Sequence, residues 1–315
     1  MLRSTATYEP LFLLTEGGTA TLHLAKRRGP LRFEQLVVLK RLHEHGASDA
    51  ARGAFLREAY VAARISHPNV VPATDLLVDD HELVLVTPYV ESLSLGEVLD
   101  RAKRARIGVP APVAVRIVVD ALSGLHAAHE ARDAEGRRLG IVHGDVSPRN
   151  LIVGTDGFTR IVDFGASRSG RPTHSTGVLE GSLPYMAPEQ MMGRALDRRA
   201  DVYAAGVVLH EALSGRSPFP VGDVADTVLS VVVGLGAQPS SRTSGIPPQI
   251  ARVIAGAVHR SPEARFSTAE RFADSLARAC PPARRREVAA LVERAGSRLL
   301  ETRRERLRRA DHASA

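Results

Sequence analysis

Four short patterns, in a fixed order along the chain, hold the residues best suited to chemistry. In TEGGTATLHLA (15–25) Gly17 and Gly18 let backbone N–H groups approach anionic oxygens closely, as a phosphate-binding loop must. VVLK (37–40) ends a β-rich run on a lysine, and lysine is scarce, since the chain holds only Lys26, Lys40 and Lys103. IVHGDVSPRNLIV (141–153) sets Asp145 five residues before Asn150, and thirteen residues after Asn150, in RIVDFGAS, comes Asp163-Phe164-Gly165. Carboxylate and amide oxygens are the hard donors that Mg2+ prefers. The last pattern is GSLPYMAPEQ (181–190). Taken singly, the glycine pair reads as a hairpin turn and Lys40 as half of a surface ion pair with Glu58. The shared order and spacing argue against coincidence.

The elements that must carry these residues fall into two stretches. Alternating or β-rich runs at 8–14, 20–26, 33–40, 73–78 and 82–88 predict strands. One helical pattern, 50–65, interrupts them and stops at His67-Pro68, because the residue before proline disfavours helix. Beyond Pro110 the periodicity turns helical at 111–132, 199–214, 221–233, 248–258 and 267–279, with short strands expected at 150–153 and 160–162 about the turn Gly154–Gly157. Stretches 131–140, 167–181 and 236–249 read as loops. The expected fold is α+β, a small β-rich lobe followed by a larger helical one.

With these motifs in this order, over roughly residues 8–280, the sequence resembles the protein kinases, and among them the bacterial Hanks-type Ser/Thr family. The resemblance implies a bilobal kinase domain over 8–280, with an N-lobe of about 8–87, a hinge at 88–91 and a C-lobe at 92–280. It implies ATP and Mg2+ as cofactors and protein substrates phosphorylated on Ser or Thr. Gly17, Gly18, Leu22 and Val38 would cover the nucleotide, and Lys40, paired with Glu58, would hold its α- and β-phosphates. Thr87 falls at the gatekeeper position, and Pro88, Tyr89 and Val90 line the adenine edge. Asp145 would accept the substrate hydroxyl proton, while Asn150 and Asp163 would ligate Mg2+. Ser182 sits where Ser/Thr kinases carry a threonine. Glu189 is expected to form a buried ion pair with Arg265, and Asp201 to fix the catalytic loop.

Two departures stand out. Gly144 replaces the arginine of H-R-D, so activity is expected to depend little on phosphorylation of Thr173, Ser175 or Thr176. Ser147 replaces the lysine two residues after the catalytic Asp, and Arg149, at the offset used by many tyrosine kinases, could supply that charge. These departures admit two rival readings. The H-G-D-x-x-x-x-N form also occurs in kinases of aminoglycosides or choline, although those lack D-F-G, GSLPYMAPE and the DVYAAGVVLHE helix. The degraded glycine loop and missing lysine fit a pseudokinase scaffold, against which stand Lys40, Glu58, Asp145, Asn150 and Asp163.

Composition narrows the setting. No apolar run is expected to approach a membrane span, and Met1–Glu9 lacks a signal-peptide pattern. The single cysteine, Cys280, allows no intramolecular disulfide and suits a reducing compartment, so the expected location is cytoplasmic. Cys280 itself reads as an inert buried or capping residue, and His126 and His129 as packing or solvated groups. Residues 281–315 hold ten arginines against five acidic residues, which is +5 of the formal +7. With no nucleic-acid motif beside it, this tail is not read as a nucleic-acid binder. Val288, Leu291, Val292, Ala295 and Leu299 have helical spacing. The tail is therefore expected as a helix against the large lobe, with an acidic partner or membrane surface as the alternative.

Overall fold

The structure is a computed structural model. It describes residues 6–17, 20–43, 48–78, 82–165, 167–169, 183–219, 224–233 and 245–313. Gly18, Thr173, Ser175, Thr176 and Ser182 lie outside that set. The chain divides into two compact units, one of 1–66, 71–91 and 297–315, the other of 67–70 and 92–296.

The first unit is built on strands β1 (Thr7–Glu16), β2 (Ala20–Arg28), β3 (Glu34–Leu42), β4 (Asp75–Val78) and β5 (Leu83–Pro88), with one helix, α1 (Asp49–Ala62). The strands form an antiparallel sheet in the order β1-β2-β3-β5-β4. Alternation divides its residues between two faces. Ala25, Val37, Leu39, Val84 and Val86 pack together on one face with Tyr8 and Leu77. On the other, Leu42, Leu83 and Leu85 meet Phe55 and Ala59 of α1. The helix starts where Ser48 accepts a hydrogen bond from the Ala51 N–H, one of the donors a helix N-terminus leaves orphaned.

The second unit opens with β6 (Ser92–Ser94), α2 (Leu95–Arg104) and α3 (Ala111–His129), followed by β7 (Ile141–Val142), β8 (Leu151–Gly154), β9 (Thr159–Ile161) and β10 (Arg168–Ser169). It continues through α4 (Pro188–Met191), α5 (Arg199–Ser214), α6 (Val224–Val233), α7 (Pro248–Ala257) and α8 (Ala269–Ala279). The last helix, α9 (Arg285–Ala313), begins in this unit, and from Ser297 its residues belong to the first.

Helix α3 is the centre of the second unit and packs on α5, α8 and β9. By length and composition alone it could cross a membrane. Ile117, Val118, Ala121, Leu122 and Leu125 are nevertheless buried in the protein core. Gly124 is required where α3 meets the His67–Val70 turn, because a Cβ there would lie 2.5 Å from the Asn69 carbonyl oxygen. Gly206 does the same between α5 and α7, where a Cβ would come within 3 Å of Val258 and Ala257 side chains.

Helix α2 is not among the expected elements. Its signal was present in the sequence as a capping box, in which the Ser94 hydroxyl accepts the Glu97 N–H and the Glu97 carboxylate accepts the Ser94 N–H. The tail also departs from expectation. Only its first half joins the large helical unit, through buried Val288, Leu291 and Val292 and through Arg285, 2.7 Å from Asp120. Acidic partners for two tail arginines come from within the chain, Asp120 for Arg285 and Glu91 for Arg304.

Candidate active site

The two units each hold a set of the expected residues. In the first, β3 carries Lys40 directly opposite Leu22 of β2 and Leu85 of β5, and Val38 opposite Leu24 and Thr87. Residues opposite one another in antiparallel strands project from the same face, so Leu22, Val38, Lys40 and Thr87 share one. This is the face that meets α1, and Lys40 Nζ lies 2.8 and 2.7 Å from the two carboxylate oxygens of Glu58. Glu58 is buried, so the ammonium compensates a charge that could not stand alone there. The turn before β2 is closed by a hydrogen bond from the Gly17 N–H to the Ala20 carbonyl. After β5 the chain continues through Tyr89, whose N–H donates to the Leu36 carbonyl, and Val90.

In the second unit the loop between β7 and β8 is held from below by α5. The carboxylate of Asp201, buried on that helix, accepts the N–H groups of both His143 and Gly144 at 2.8 Å. Burial alone would raise its pKa. The His129 hydrogen bond and the neighbouring N–H groups overcome that, and the carboxyl is held below the usual carboxylate range. His129 Nε2, at 2.7 Å, is part of this anchor. No local pattern signals that role, because the partner lies 72 residues away.

Gly144 has φ 76°, a left-handed conformation in which glycine is free of strain. Its carbonyl accepts from the side chain of Gln190, which also caps the Ala187 N–H. The PEQ segment is thereby tied to the loop that carries Asp145. Asn150 Nδ2 donates to both the backbone oxygen and the carboxylate Oδ2 of Asp145, each at 2.8 Å, and so sets the direction of that carboxylate. The Val162 N–H donates to the Asn150 carbonyl at 3.0 Å, bringing Asp163 next to Asn150.

Asp163 itself has φ 65°, and non-glycine residues in that region store strain of about 1–3 kcal/mol. Part of that cost is offset by a hydrogen bond from the Gly165 N–H. Strand β9, which leads into Asp163, is pinned by Asn69, whose side chain donates to the Thr159 carbonyl and whose carbonyl accepts the Ile161 N–H. The HPN turn of the sequence is thus a fixed support for the DFG segment. Among the described residues no group of three or more His, Cys, Asp or Glu side chains gathers as a metal cage.

The two departures are placed differently. Ser147 is buried, and its hydroxyl has no hydrogen-bond partner among the described residues. Arg149 is exposed, and its charge is felt at the Tyr185 hydroxyl. Below this loop Glu189 and Arg265 form the expected buried pair, at 2.6 and 2.8 Å. Cys280 ends α8, its N–H donating to the Leu276 carbonyl.

A Lys–Glu pair on a five-stranded sheet, followed by a helical unit that anchors an H-G-D-x-x-x-x-N loop and a DFG turn, defines the protein kinase class. Residues 8–276 match the family described as the protein kinase domain, and the chain belongs to that family, in its bacterial Hanks-type branch. The chain is similar to the tyrosine-protein kinase MasK of Myxococcus xanthus, with 36% identity over 266 residues that make up 84% of this chain and 41% of that protein. The serine/threonine-protein kinase PksC of Streptomyces coelicolor is 33% identical over 86% of this chain and 48% of its own length. For PknL of Mycobacterium tuberculosis, also a serine/threonine-protein kinase, the identity is 32% over 84% of this chain and 62% of its own length. The chain thus spans about half the length of the curated relatives it matches.

Proposed function

We propose that the chain transfers the γ-phosphoryl group of ATP to serine or threonine hydroxyls of proteins, with Mg2+ as cofactor. The observation that carries this reading is the Asp145–Asn150 arrangement, a carboxylate aimed by an amide whose own backbone is bonded to the residue before Asp163. In this reading the Asp145 carboxylate takes the proton of the acceptor hydroxyl. The hydroxyl oxygen forms the new O–P bond as the bond from the γ-phosphorus to the bridging oxygen breaks, and ADP leaves. Lys40, held by Glu58, orients the α- and β-phosphates, and Leu22, Val38 and Thr87 bracket the base. The donor set of Asp163 and Asn150 fits Mg2+, which takes one or two protein oxygens and keeps water and phosphate for the rest. When bound, Mg2+ would neutralise charge on the β- and γ-phosphates. Arg149 would supply the positive charge that Ser147 lacks. A cytoplasmic location, supported by the single cysteine, belongs to the same reading.

Tyrosine as acceptor is a second reading, favoured by Arg149 and by the name of the Myxococcus relative. Phosphosite mapping of autophosphorylated protein separates the two. The kinase mechanism is tested with Asp145→Asn and Asp163→Ala, each expected to abolish autophosphorylation with the melting temperature retained. Phosphorylation persisting in both purified variants would overturn it. A thermal shift with ATP and Mg2+ in the wild type, without turnover, would point instead to an ATP-binding scaffold.

A further inference from the structure

The second half of α9 belongs to the β-rich unit, although it is more than two hundred residues removed from that unit's other segments. It is attached chiefly by charge. Arg304 Nε and Nη2 each lie 2.7 Å from one oxygen of Glu91. The Arg306 guanidinium stands 4.2 Å from the ring centroid of Phe12 in β1. Asp311 Oδ1 is 2.8 Å from Nζ of Lys26, a buried residue of β2. The outer two tethers are seven positions apart, about 10 Å of helix. Leu300 adds one buried apolar contact nearby.

Glu91 comes directly after Tyr89 and Val90, the stretch assigned to the adenine edge. One end of this stretch is already fixed, since the Tyr89 N–H donates to the Leu36 carbonyl of β3. The other end is held by the forked bond of Arg304. A guanidinium clamping both carboxylate oxygens fixes direction as well as distance, which one ammonium could not do. The two tethers that follow it, at Phe12 and Lys26, hold the helix in place, so Arg304 reaches Glu91 with less loss of freedom than a lone surface arginine. Tyr89 lies in the field of the same groups. Burial raises the pKa of its hydroxyl, and Arg303 pulls it partly back.

We propose that Arg304 is a positioning residue for the nucleotide, and that it acts through Glu91 on the backbone path of Tyr89–Val90. This role rests on the kinase reading and on the placement of Tyr89 and Val90 at the adenine edge. Arg304 touches no reacting atom, so its removal weakens ATP binding and leaves the chemical step alone. The pair is partly exposed, 39% for the arginine and 27% for the glutamate side chain, so the effect is moderate.

The test is steady-state ATP kinetics on the full chain with a generic protein substrate. Arg304→Ala is expected to raise KM for ATP about three- to tenfold with kcat within about twofold. Glu91→Ala should do the same, and the double variant should be no worse than either, because both remove one contact. The exchange Glu91→Arg with Arg304→Glu should recover at least half of the loss. Arg308→Ala, an exposed residue one turn further on that removes the same charge, should change nothing. A KM for Arg304→Ala within twofold of wild type, or a fall in kcat with KM unchanged, overturns the proposal. A wild-type chain that neither turns over ATP nor gains stability from it overturns the kinase reading, and this proposal falls with it.

Discussion

Two ion pairs, one in each unit, join a basic side chain to a buried glutamate, and they differ in what surrounds the base. The Arg265 side chain is 0% exposed. All five of its N–H donors are used, two on Glu189 and the others on the carbonyls of Arg199, His259 and Arg260, and its guanidinium lies over the Tyr203 ring. Lys40 meets both oxygens of Glu58, yet 18% of its side chain remains open. A charge saturated by the fold can only hold the fold together. A side chain that keeps some exposure can still meet a ligand, with the glutamate fixing where it points.

The comparison can be broken by substitution. Glu189→Ala leaves the Arg265 charge buried and uncompensated, and stability is expected to fall by about 3–5 kcal/mol in urea unfolding. A loss under about 1 kcal/mol would remove the distinction between the pairs. Lys40→Met is expected to lower kcat/KM by about three decades, and it also costs stability, because the buried Glu58 loses its partner. Turnover within twofold of wild type would make Lys40 a structural residue only. Arg149→Ala sharpens the same idea at an exposed charge. Its kcat is expected to drop by about one to two decades with KM for ATP little changed, since the contact strengthens as charge develops in the transition state. Turnover within twofold of wild type would mean that the protein manages without a charge at this place.

Local pattern carried much of this molecule. The helix expected at 199–214 has those bounds, and the strands expected around 20–26, 33–40 and 82–88 lie within two residues of the observed ones. These segments have strong periodicity and clear breakers, so local and tertiary preferences agree. The short strands β6, β7 and β10 were invisible because two or three residues hold no periodicity. Helix α2 was missed for another reason. Only Leu95, Val98 and Ala102 are buried on it, and its start is written in the polar pair Ser94 and Glu97 rather than in apolar spacing.

The site divides similarly. Asp145, Asn150 and Asp163 stand in motifs, while His129 and Gln190 act through contacts that no local pattern announces. In the tail the expected apolar stripe ends with Leu299, yet Leu300 is the buried residue of that turn. Beyond it attachment passes to Arg304, Arg306 and Asp311, and hydrophobic spacing is blind to charge.

The membership of α9 also bears on how the protein is made. Lys26 and Asp311 are 285 residues apart. At bacterial synthesis rates Asp311 emerges from the ribosome about 15 to 60 s after Lys26. Throughout that interval the nascent sheet holds a lysine whose carboxylate on α9 has not been made, and an edge at Phe12 with no arginine above it. The β-rich unit can start folding first, but it is finished last, by the same stretch of chain that completes the helical unit.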